Sequence, residues 1–199
     1  MDQFSAFVIA TLASVPSVWR LIILFLFAFA EGLPVIGSIS PGGTIAILAG
    51  SLSVNGLISP MAAFVLISVG SFLGDITGFL LSKRFKHLSF IQKIVTHEKH
   101  QKSWDLFDRH IAIITIFGKI IPFVRSTPSI FAAARGIHTK RYVLYSFMGS
   151  VLWGFAGVYA GNLFTRYFGE RAISFIVGAL ILSVFIVAVR YLFNLNKHK

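Results

Sequence analysis

The stretch IFGKIIPFVRSTPSIFAAARG, residues 116–136, places two charged residues and two prolines in an otherwise apolar run. These four residues are Lys119, Pro122, Arg125 and Pro128. Because proline removes a backbone donor and clashes with the preceding turn, the run is not expected to form one continuous helix. At membrane depth, broken backbone is tolerated only where protein or a water-filled cavity covers it. The stretch therefore predicts a segment that enters a membrane and turns back within it.

The composition favours an integral membrane protein. Of the 199 residues, 56% are hydrophobic and 13% are charged, whereas soluble domains are ~45–50% apolar and ~25% charged. At this length we expect a single membrane domain over residues 1–199, without a separate catalytic domain. The chain has no cysteine, which excludes disulfides, thiolate metal sites and cysteine nucleophiles.

The net charge of +11 is concentrated beside the apolar segments. Seven of the 18 Lys and Arg residues lie between residues 83 and 109. Lys and Arg are enriched in the cytoplasmic loops of membrane proteins. Membrane topology therefore accounts for the basic charge, and we expect no nucleic-acid partner.

Six apolar segments divide into two kinds. Four are predicted to cross the bilayer, whose core takes ~20 helical residues; they cover residues 18–30, 60–82, 142–165 and 172–189. The other two, residues 31–53 and 111–134, are interrupted by Pro and Gly near their middles. We interpret these two as re-entrant helix hairpins.

The positive-inside rule orients this arrangement. With a cytoplasmic N-terminus and two re-entrant hairpins, 14 of the 18 Lys and Arg residues are cytoplasmic. Only Arg166 and Arg171 are then external, and Lys119 and Arg125 lie within the membrane. The sequence thus predicts a multi-pass membrane protein with both termini in the cytoplasm.

Each predicted hairpin precedes a glycine-rich spanning helix, and glycines four apart let helices pack closely in lipid. The chain is therefore predicted to hold two copies of one unit, entering the membrane from opposite faces. Inverted repeats with broken helices are typical of transporters. The predicted fold class is an all-α integral membrane protein with an inverted repeat of re-entrant hairpin plus transmembrane helix, and about four full spans.

The remaining segments are predicted to lie at the membrane surface. Residues 1–15 follow helical spacing and are interpreted as an interfacial helix. Residues 83–110 are interpreted as a cytoplasmic amphipathic loop. His97 and His100 are three apart, but a third ligand of suitable geometry is lacking, so a solvated face is favoured over a metal site. We expect no metal and no cofactor.

Four ionisable residues fall in or near the membrane: Glu31, Asp75, Lys119 and Arg125. A charge at the centre of a membrane helix costs ~2.5–3.5 kcal/mol on insertion scales, so these side chains must face one another or water. Lys119 and Arg125 are the candidates for binding the phosphate of an anionic ligand. Glu31 and Asp75 are the candidates for proton or ion coupling. Asp75 is expected to pair with Arg125 or to anchor its own helix.

Four further residues are expected to shape the two hairpins: Pro41, Gly42, Pro122 and Pro128. Helix N-termini following Pro41 and Pro128 would add favourable dipoles for an anion.

Several motifs occur in an order that resembles a known family. They are Glu31 followed by PGG at 41–43 and AG at 49–50, GDITGF at 74–79, FDRH at 107–110, GKIIPFVRS at 118–126 and LYSFMGSVLWG at 144–154. Over roughly residues 25–165 the sequence resembles the DedA family of bacterial inner-membrane proteins, also called the SNARE-associated or VTT-domain superfamily. The resemblance implies two opposed re-entrant hairpins and transport of lipid substrates. It further implies the return of undecaprenyl phosphate across the inner membrane, coupled to an ion gradient.

Three positions depart from the family pattern. Gly43 stands where many members carry a second acid, Lys119 where arginine is usual, and Ala133 where glycine is frequent. Without the second acid, coupling would fall to Glu31 and Asp75. Lysine keeps the positive charge but lacks the bidentate fork of arginine.

The resulting hypothesis is a lipid translocase whose partners are the membrane, an anionic lipid (undecaprenyl phosphate or a phospholipid), and protons or sodium. Oligomeric state stays open, with a homodimer as one alternative. The first rival is a transporter of a small solute or ion on the same scaffold, and another is a structural membrane factor. A lipid phosphatase would need an Arg-Pro pair and two catalytic histidines, but Arg125 precedes Ser126 and the apolar segments contain no histidine. We therefore expect no enzyme.

Overall fold

The computed structural model describes residues 3–34, 43–85, 101–121, 125, 127–169, 171–172 and 175–178. Regular secondary structure within these ranges is helical. The helices are α1 (Gln3–Ser14), α2 (Ser17–Gly32), α3 (Thr44–Val54), α4 (Pro60–Arg84), α5 (Gln101–Phe117), α6 (Thr127–Ala134) and α7 (Thr139–Phe168), with a 3-10 turn at Gly118–Ile120.

The helices α4 and α7 are long and apolar enough to cross a membrane. They contain 25 and 30 residues, and a stretch of 18 residues in each has a mean hydropathy of 1.9 and 1.4, respectively. At a rise of 1.5 Å per residue they are ~37 and ~45 Å long. Ser59 caps the start of α4 by accepting a hydrogen bond from the Ala62 backbone N–H at 3.1 Å. The predicted spans at 60–82 and 142–165 are thus confirmed as long helices.

The other two predicted spans are not seen as helices of full membrane length in the described residues. Helix α2 covers the predicted segment 18–30 but has only 16 residues, which makes it ~24 Å long. The predicted span at 172–189 lies mostly outside the described residues. The number of full crossings therefore stays a prediction.

Neither proline-interrupted segment forms one continuous helix, as predicted. In the first, α2 ends at Gly32, Leu33 is extended with ψ 137°, and α3 begins at Thr44. In the second, α5 is followed by the 3-10 turn, by an extended Ile121, and then by α6. Pro41, Gly42 and Pro122 lie outside the described residues, so their part in shaping the breaks stays a prediction.

One predicted boundary is wrong. Helix α6 begins at Thr127, before Pro128 and not after it, which is consistent with the tolerance of proline in a first helical turn. At the predicted boundary at residue 110, two helical segments of α5 meet in a kink at His110, where φ is −128° and ψ is 30°. The helix continues because Phe107 packs in the same cluster as Ile111 and Ile114, which gives both sides of the kink one apolar face.

The predicted surface segments are partly described. Residues 3–14 form α1, which confirms the helix, whereas its position at the membrane surface stays a prediction. Residues 86–100, with His97 and His100, lie outside the described residues.

Glycines bring α2 and α4 into backbone contact. A Cβ placed on Gly32 would lie 2.8 Å from the Cα of Gly74 and 2.8 Å from the carbonyl oxygen of Ser71. A Cβ on Gly70 would lie 2.9 Å from the carbonyl oxygen of Phe25. Close packing of this kind needs small residues. Glycines spaced four residues apart on α4 provide this contact with α2.

Helices pack against one another both within each part of the chain and between the two parts. We call residues 17–84 the first half and residues 101–168 the second half. Helix α2 packs on α4 within the first half, and α5 packs on α7 within the second. The short helix that follows each break packs chiefly on the long helix of the other half, α3 on α7 and α6 on α4. Both halves therefore build the centre of the molecule.

Candidate functional site: two buried ion pairs

The four ionisable residues singled out from the sequence are all buried in the structure. Their exposed fractions are 3% for Glu31, 5% for Asp75, 3% for Lys119 and 5% for Arg125. Glu31 lies in the last turn of α2, and Asp75 lies in the middle of α4. Lys119 is in the 3-10 turn, and Arg125 lies between that turn and α6. The structure brings them together as two ion pairs.

The first pair joins Lys119 to Asp75. The Lys119 Nζ is 2.5 Å from the Asp75 Oδ2, and it also donates to the Ser71 Oγ at 3.3 Å and to the Ser150 Oγ. The expectation that Asp75 pairs with Arg125 is therefore wrong. The 3-10 turn places the ammonium between α4 and α7, where it meets Asp75 first.

Serines of α7 complete the surroundings of this pair. The Ser146 Oγ donates to the Asp75 Oδ2 at 2.7 Å, and the Ser150 Oγ donates to the Ser146 carbonyl oxygen at 2.8 Å. The Lys119 Nζ lies 3.5 Å from that same carbonyl oxygen. Because a buried charged or polar group is tolerated only when it is paired and hydrogen-bonded, this network supplies partners for the Lys119 and Asp75 side chains away from water.

The second pair joins Arg125 to Glu31. The Arg125 Nη1 donates to the Glu31 Oε2 at 2.8 Å. The guanidinium also lies over the indole of Trp153, with its Cζ 5.4 Å from the ring centroid. Arginine stacks favourably on an aromatic face while its edge binds a carboxylate. Trp153 and Glu31 therefore fix the guanidinium from two directions.

The two pairs form one unit, which we call the charge cluster (Glu31, Asp75, Lys119 and Arg125). The charges of Lys119 and Arg125 are close enough to interact. In each pair the acid belongs to the first half of the chain and the base to the second. The charge cluster therefore links the two halves at their centre.

Sequence reasoning missed four neighbours of the charge cluster: Ser71, Ser146, Ser150 and Trp153. A signal was present for the serines, because Ser71 is one helical turn before Asp75, and Ser146 and Ser150 are one turn apart on α7. Polar residues on one face of an apolar helix indicate a buried polar contact.

Trp153 also occupies the space beside Gly43, where the family pattern often has an acid. Gly43 has a φ of +93°, and a Cβ added there would run into the Trp153 ring. An acidic side chain at position 43 would enter the space that the indole fills. The indole of Trp153 thus lies beside Gly43 and also contacts the guanidinium of Arg125.

The described residues hold no group of three His, Asp or Glu side chains placed to bind a metal ion. Of the residues assigned to hairpin shape, only Pro128 is described, and it is buried in α6.

Comparison with known proteins identifies the family. A model of the VTT domain matches residues 40–163, which is more than half of the chain and includes Asp75, Lys119 and Arg125. The chain belongs to the VTT-domain family. This membership confirms the family resemblance inferred from the motifs and makes the chain a membrane protein.

Individual VTT-domain relatives are distant. Protein DedA of Escherichia coli strain K12 is 26% identical over 162 residues, covering 78% of this chain and 74% of the relative. Inner membrane protein YghB of the same strain is 22% identical over 134 residues, covering 66% and 61%. Membrane protein ML0287 of Mycobacterium leprae is 25% identical over 160 residues, covering 74% and 70%. No solved structure matches the chain.

Proposed function

We propose that this VTT-domain protein moves an anionic lipid across the bacterial cytoplasmic membrane, with the phosphate of the lipid bound by Lys119 and Arg125. The observation that carries the proposal is the charge cluster itself, in which two cations are buried between membrane-length helices and each is held by a carboxylate. Ionisable residues at membrane depth are expensive and mark substrate or ion pathways. Arginine binds phosphate through a bidentate fork, and lysine adds a point charge.

Binding in this scheme is an exchange of anions. The phosphate takes the place of a carboxylate on each base, and the lipid tail stays in the bilayer. Protonation removes the negative charge of Glu31 and Asp75 and so releases the bases. External acid therefore favours phosphate binding, which couples transport to a proton gradient; sodium bound by the carboxylates would act in the same sense.

Movement is proposed to come from two opposed re-entrant hairpins, residues 31–53 and 111–134. The packing of each short helix on the long helix of the other half supports this scheme, since α3 packs on α7 and α6 packs on α4. In alternating access, one repeat moves against the other around a fixed central site. The charge cluster lies at that interface, so re-pairing of its charges could accompany the movement.

The substrate proposed first is undecaprenyl phosphate, with another anionic phospholipid as the variant. The proposed location is the inner membrane, which is where the relative YghB is placed by its name, inner membrane protein YghB. Both termini are proposed to be cytoplasmic. The lipid leaves chemically unchanged, so the protein acts as a transporter and not as an enzyme.

The test is translocation of undecaprenyl phosphate in proteoliposomes carrying a pH gradient. Wild type is compared with Arg125→Ala, Lys119→Ala and the control Lys140→Ala, a change at an exposed position at the start of α7. The proposal predicts that the first two variants lose translocation while the control keeps it, with folding checked by size-exclusion profile. Absence of translocation by folded wild type at every gradient would overturn the proposal.

A second candidate is a transporter of a small anion. It is favoured by one observation, the enclosure of the charge cluster, since none of its four members is more than 5% exposed. In the same proteoliposomes such a transporter would accumulate inorganic phosphate and leave the lipid in its original leaflet.

A further inference from the structure

An open groove lies between α4 and α7 on the outer surface of the helix bundle. It has a volume of about 420 Å³ and is lined by the first turn of α4 and the last four turns of α7. Its apolar walls are Met61 and Phe64 on α4, and Phe155 and Tyr159 on α7. We call it the seam groove.

The walls of the seam groove face the surroundings of the protein. Met61 is 68% exposed, Phe155 is 59% exposed and Tyr159 is 55% exposed. Since α4 and α7 are the two helices of membrane length within the described residues, we expect this apolar surface to contact lipid. Its open shape and apolar walls suit a hydrocarbon chain.

One end of the seam groove is positively charged. Arg166, in the last turn of α7, lines that end together with Asn162 and Pro60. Pro60 is the first residue of α4, and a helix N-terminus carries a partial positive charge. A cationic end on an apolar groove is complementary to a lipid with an anionic headgroup.

The groove continues inward along the same seam. A second hollow, of about 170 Å³, shares Phe64 with it and reaches Ser68. The Ser68 Oγ is buried and has no hydrogen-bond partner in the part of the chain that the structure describes. Ser68 lies one turn from Ser71, which accepts a hydrogen bond from Lys119. The Ser68 Oγ lies against Gly154 of α7, where an added Cβ would collide with it, so α4 and α7 are in close contact at this end of the hollow.

The described part of the C-terminal segment lies elsewhere. Phe175 and Ile176 line a hollow with Ala160 and Phe164. At 100° per residue, these two α7 positions are on the face opposite Phe155 and Tyr159. Among the described residues, therefore, residues 175–176 pack on the far side of α7 from the seam groove.

We propose that the seam groove is the lateral docking site for the lipid substrate, with a hydrocarbon chain along Phe64 and Phe155 and the phosphate on Arg166. Transfer of the headgroup to the charge cluster then requires α4 and α7 to separate at the Ser68–Gly154 contact. This inference rests on the proposed function and adds to it the place where the lipid joins the protein from the bilayer. Ordinary bilayer lipid and a second copy of the chain are the competing occupants.

The test uses the full chain in liposomes with two photoactivatable probes, a phosphatidic acid and a phosphatidylcholine, each carrying a diazirine in one acyl chain. Cross-linked peptides are mapped by mass spectrometry. We expect the phosphatidic acid probe to label residues 60–68 and 155–166 in preference to the phosphatidylcholine probe. Arg166→Gln should reduce that labelling by about 10-fold, the effect of one lost charge-assisted hydrogen bond.

Two variants control this result. Arg166→Lys keeps the charge and should restore most of the labelling. Arg171→Gln removes an exposed arginine outside the groove and should leave labelling unchanged. Equal labelling by both probes, or labelling insensitive to Arg166→Gln, would assign the groove to ordinary bilayer lipid and overturn the inference. Cross-links between two copies through residues 155–166 would overturn it in favour of a dimer interface.

The inference and the proposed function fail in distinguishable ways. Arg125→Ala is expected to abolish translocation and to keep selective labelling of the groove. Selective labelling without translocation by wild type would overturn the proposed function alone. Translocation without selective labelling would overturn the groove alone.

Discussion

Lys119 and Asp75 form a buried ion pair, so replacing either residue alone is expected to lower the stability of the protein. Both are buried, and their N–O distance is 2.5 Å. Removing one partner of a buried pair leaves an uncompensated charge and costs ~3–5 kcal/mol, whereas replacing both by neutral groups of similar volume is often neutral. We therefore expect Lys119→Met to lower stability by roughly that amount, and the double variant Asp75→Asn with Lys119→Met to recover most of it.

Thermal unfolding of the purified protein in detergent measures this difference. Asparagine at position 75 can still accept the hydrogen bond that the Ser146 Oγ donates to Asp75, so the double variant keeps a satisfied network. A double variant as unstable as Lys119→Met alone would contradict the pairing.

Gly43 is expected to tolerate no side chain while Trp153 is present. Its φ is +93° and an added Cβ would meet the indole ring, whereas Gly56 has a φ of +69° with nothing described within 4 Å. The positive φ penalises both Gly43→Ala and Gly56→Ala, by about 1–2 kcal/mol. Only Gly43→Ala adds a clash, so we expect it to lower the melting temperature further, and a second change, Trp153→Ala, to relieve the excess. Equal effects of the two glycine changes would contradict this account.

The charged residues of the site could be found from the sequence, and their pairing could not. A charge in an apolar run is costly enough to stand out by itself, which is how Glu31, Asp75, Lys119 and Arg125 were identified. Which base meets which acid depends on where the 3-10 turn aims Lys119, and spacing along the chain does not contain that information. The role of Trp153 was hidden because an aromatic residue on an apolar helix looks like any other packing residue.

Among the helices, α2 and α4 depend on glycine for their contact. A Cβ on Gly74 would lie 2.9 Å from the Cα of Gly32 and would press on the carbonyl oxygen of Phe29. Backbone cannot yield as a flexible side chain can, so Gly74→Leu should separate the helices and pull Glu31 away from Arg125. We expect a clear loss of thermal stability, whereas the control Val65→Leu, at a position on α4 that is 45% exposed, should be close to wild type. A stable Gly74→Leu variant would contradict the packing.

The sequence predicted which segments are helical more accurately than it predicted where each helix begins and ends. Proline and glycine in 31–53 and 111–134 predicted two breaks, and both are present between α2 and α3 and between α5 and α6. The boundary placed at residue 110 coincides with the kink at His110, although the buried face continues across it. Phe107 on one side of the kink and Ile111 on the other pack in one cluster, and this tertiary contact outweighs the local change in composition.

For the whole molecule, the predicted topology places two short loops on opposite sides of the membrane. The chain has no cysteine, so single-cysteine variants can be labelled without a background. Asn55→Cys, between α3 and α4, should react with an impermeant maleimide in intact cells. His138→Cys, between α6 and α7, should react only after permeabilisation. Labelling of both loops from the same side would contradict opposed re-entrant hairpins.

The decisive measurement for the proposed function is lipid translocation by a variant that keeps the fold and lacks the buried charges of one pair. The double variant Asp75→Asn with Lys119→Met serves this purpose, compared with wild type in proteoliposomes loaded with undecaprenyl phosphate under a pH gradient. If Lys119 binds the phosphate, the folded double variant should lose translocation while wild type retains it. Translocation at the wild-type rate by the double variant would show that the Lys119–Asp75 pair only joins the two halves, and would contradict the account.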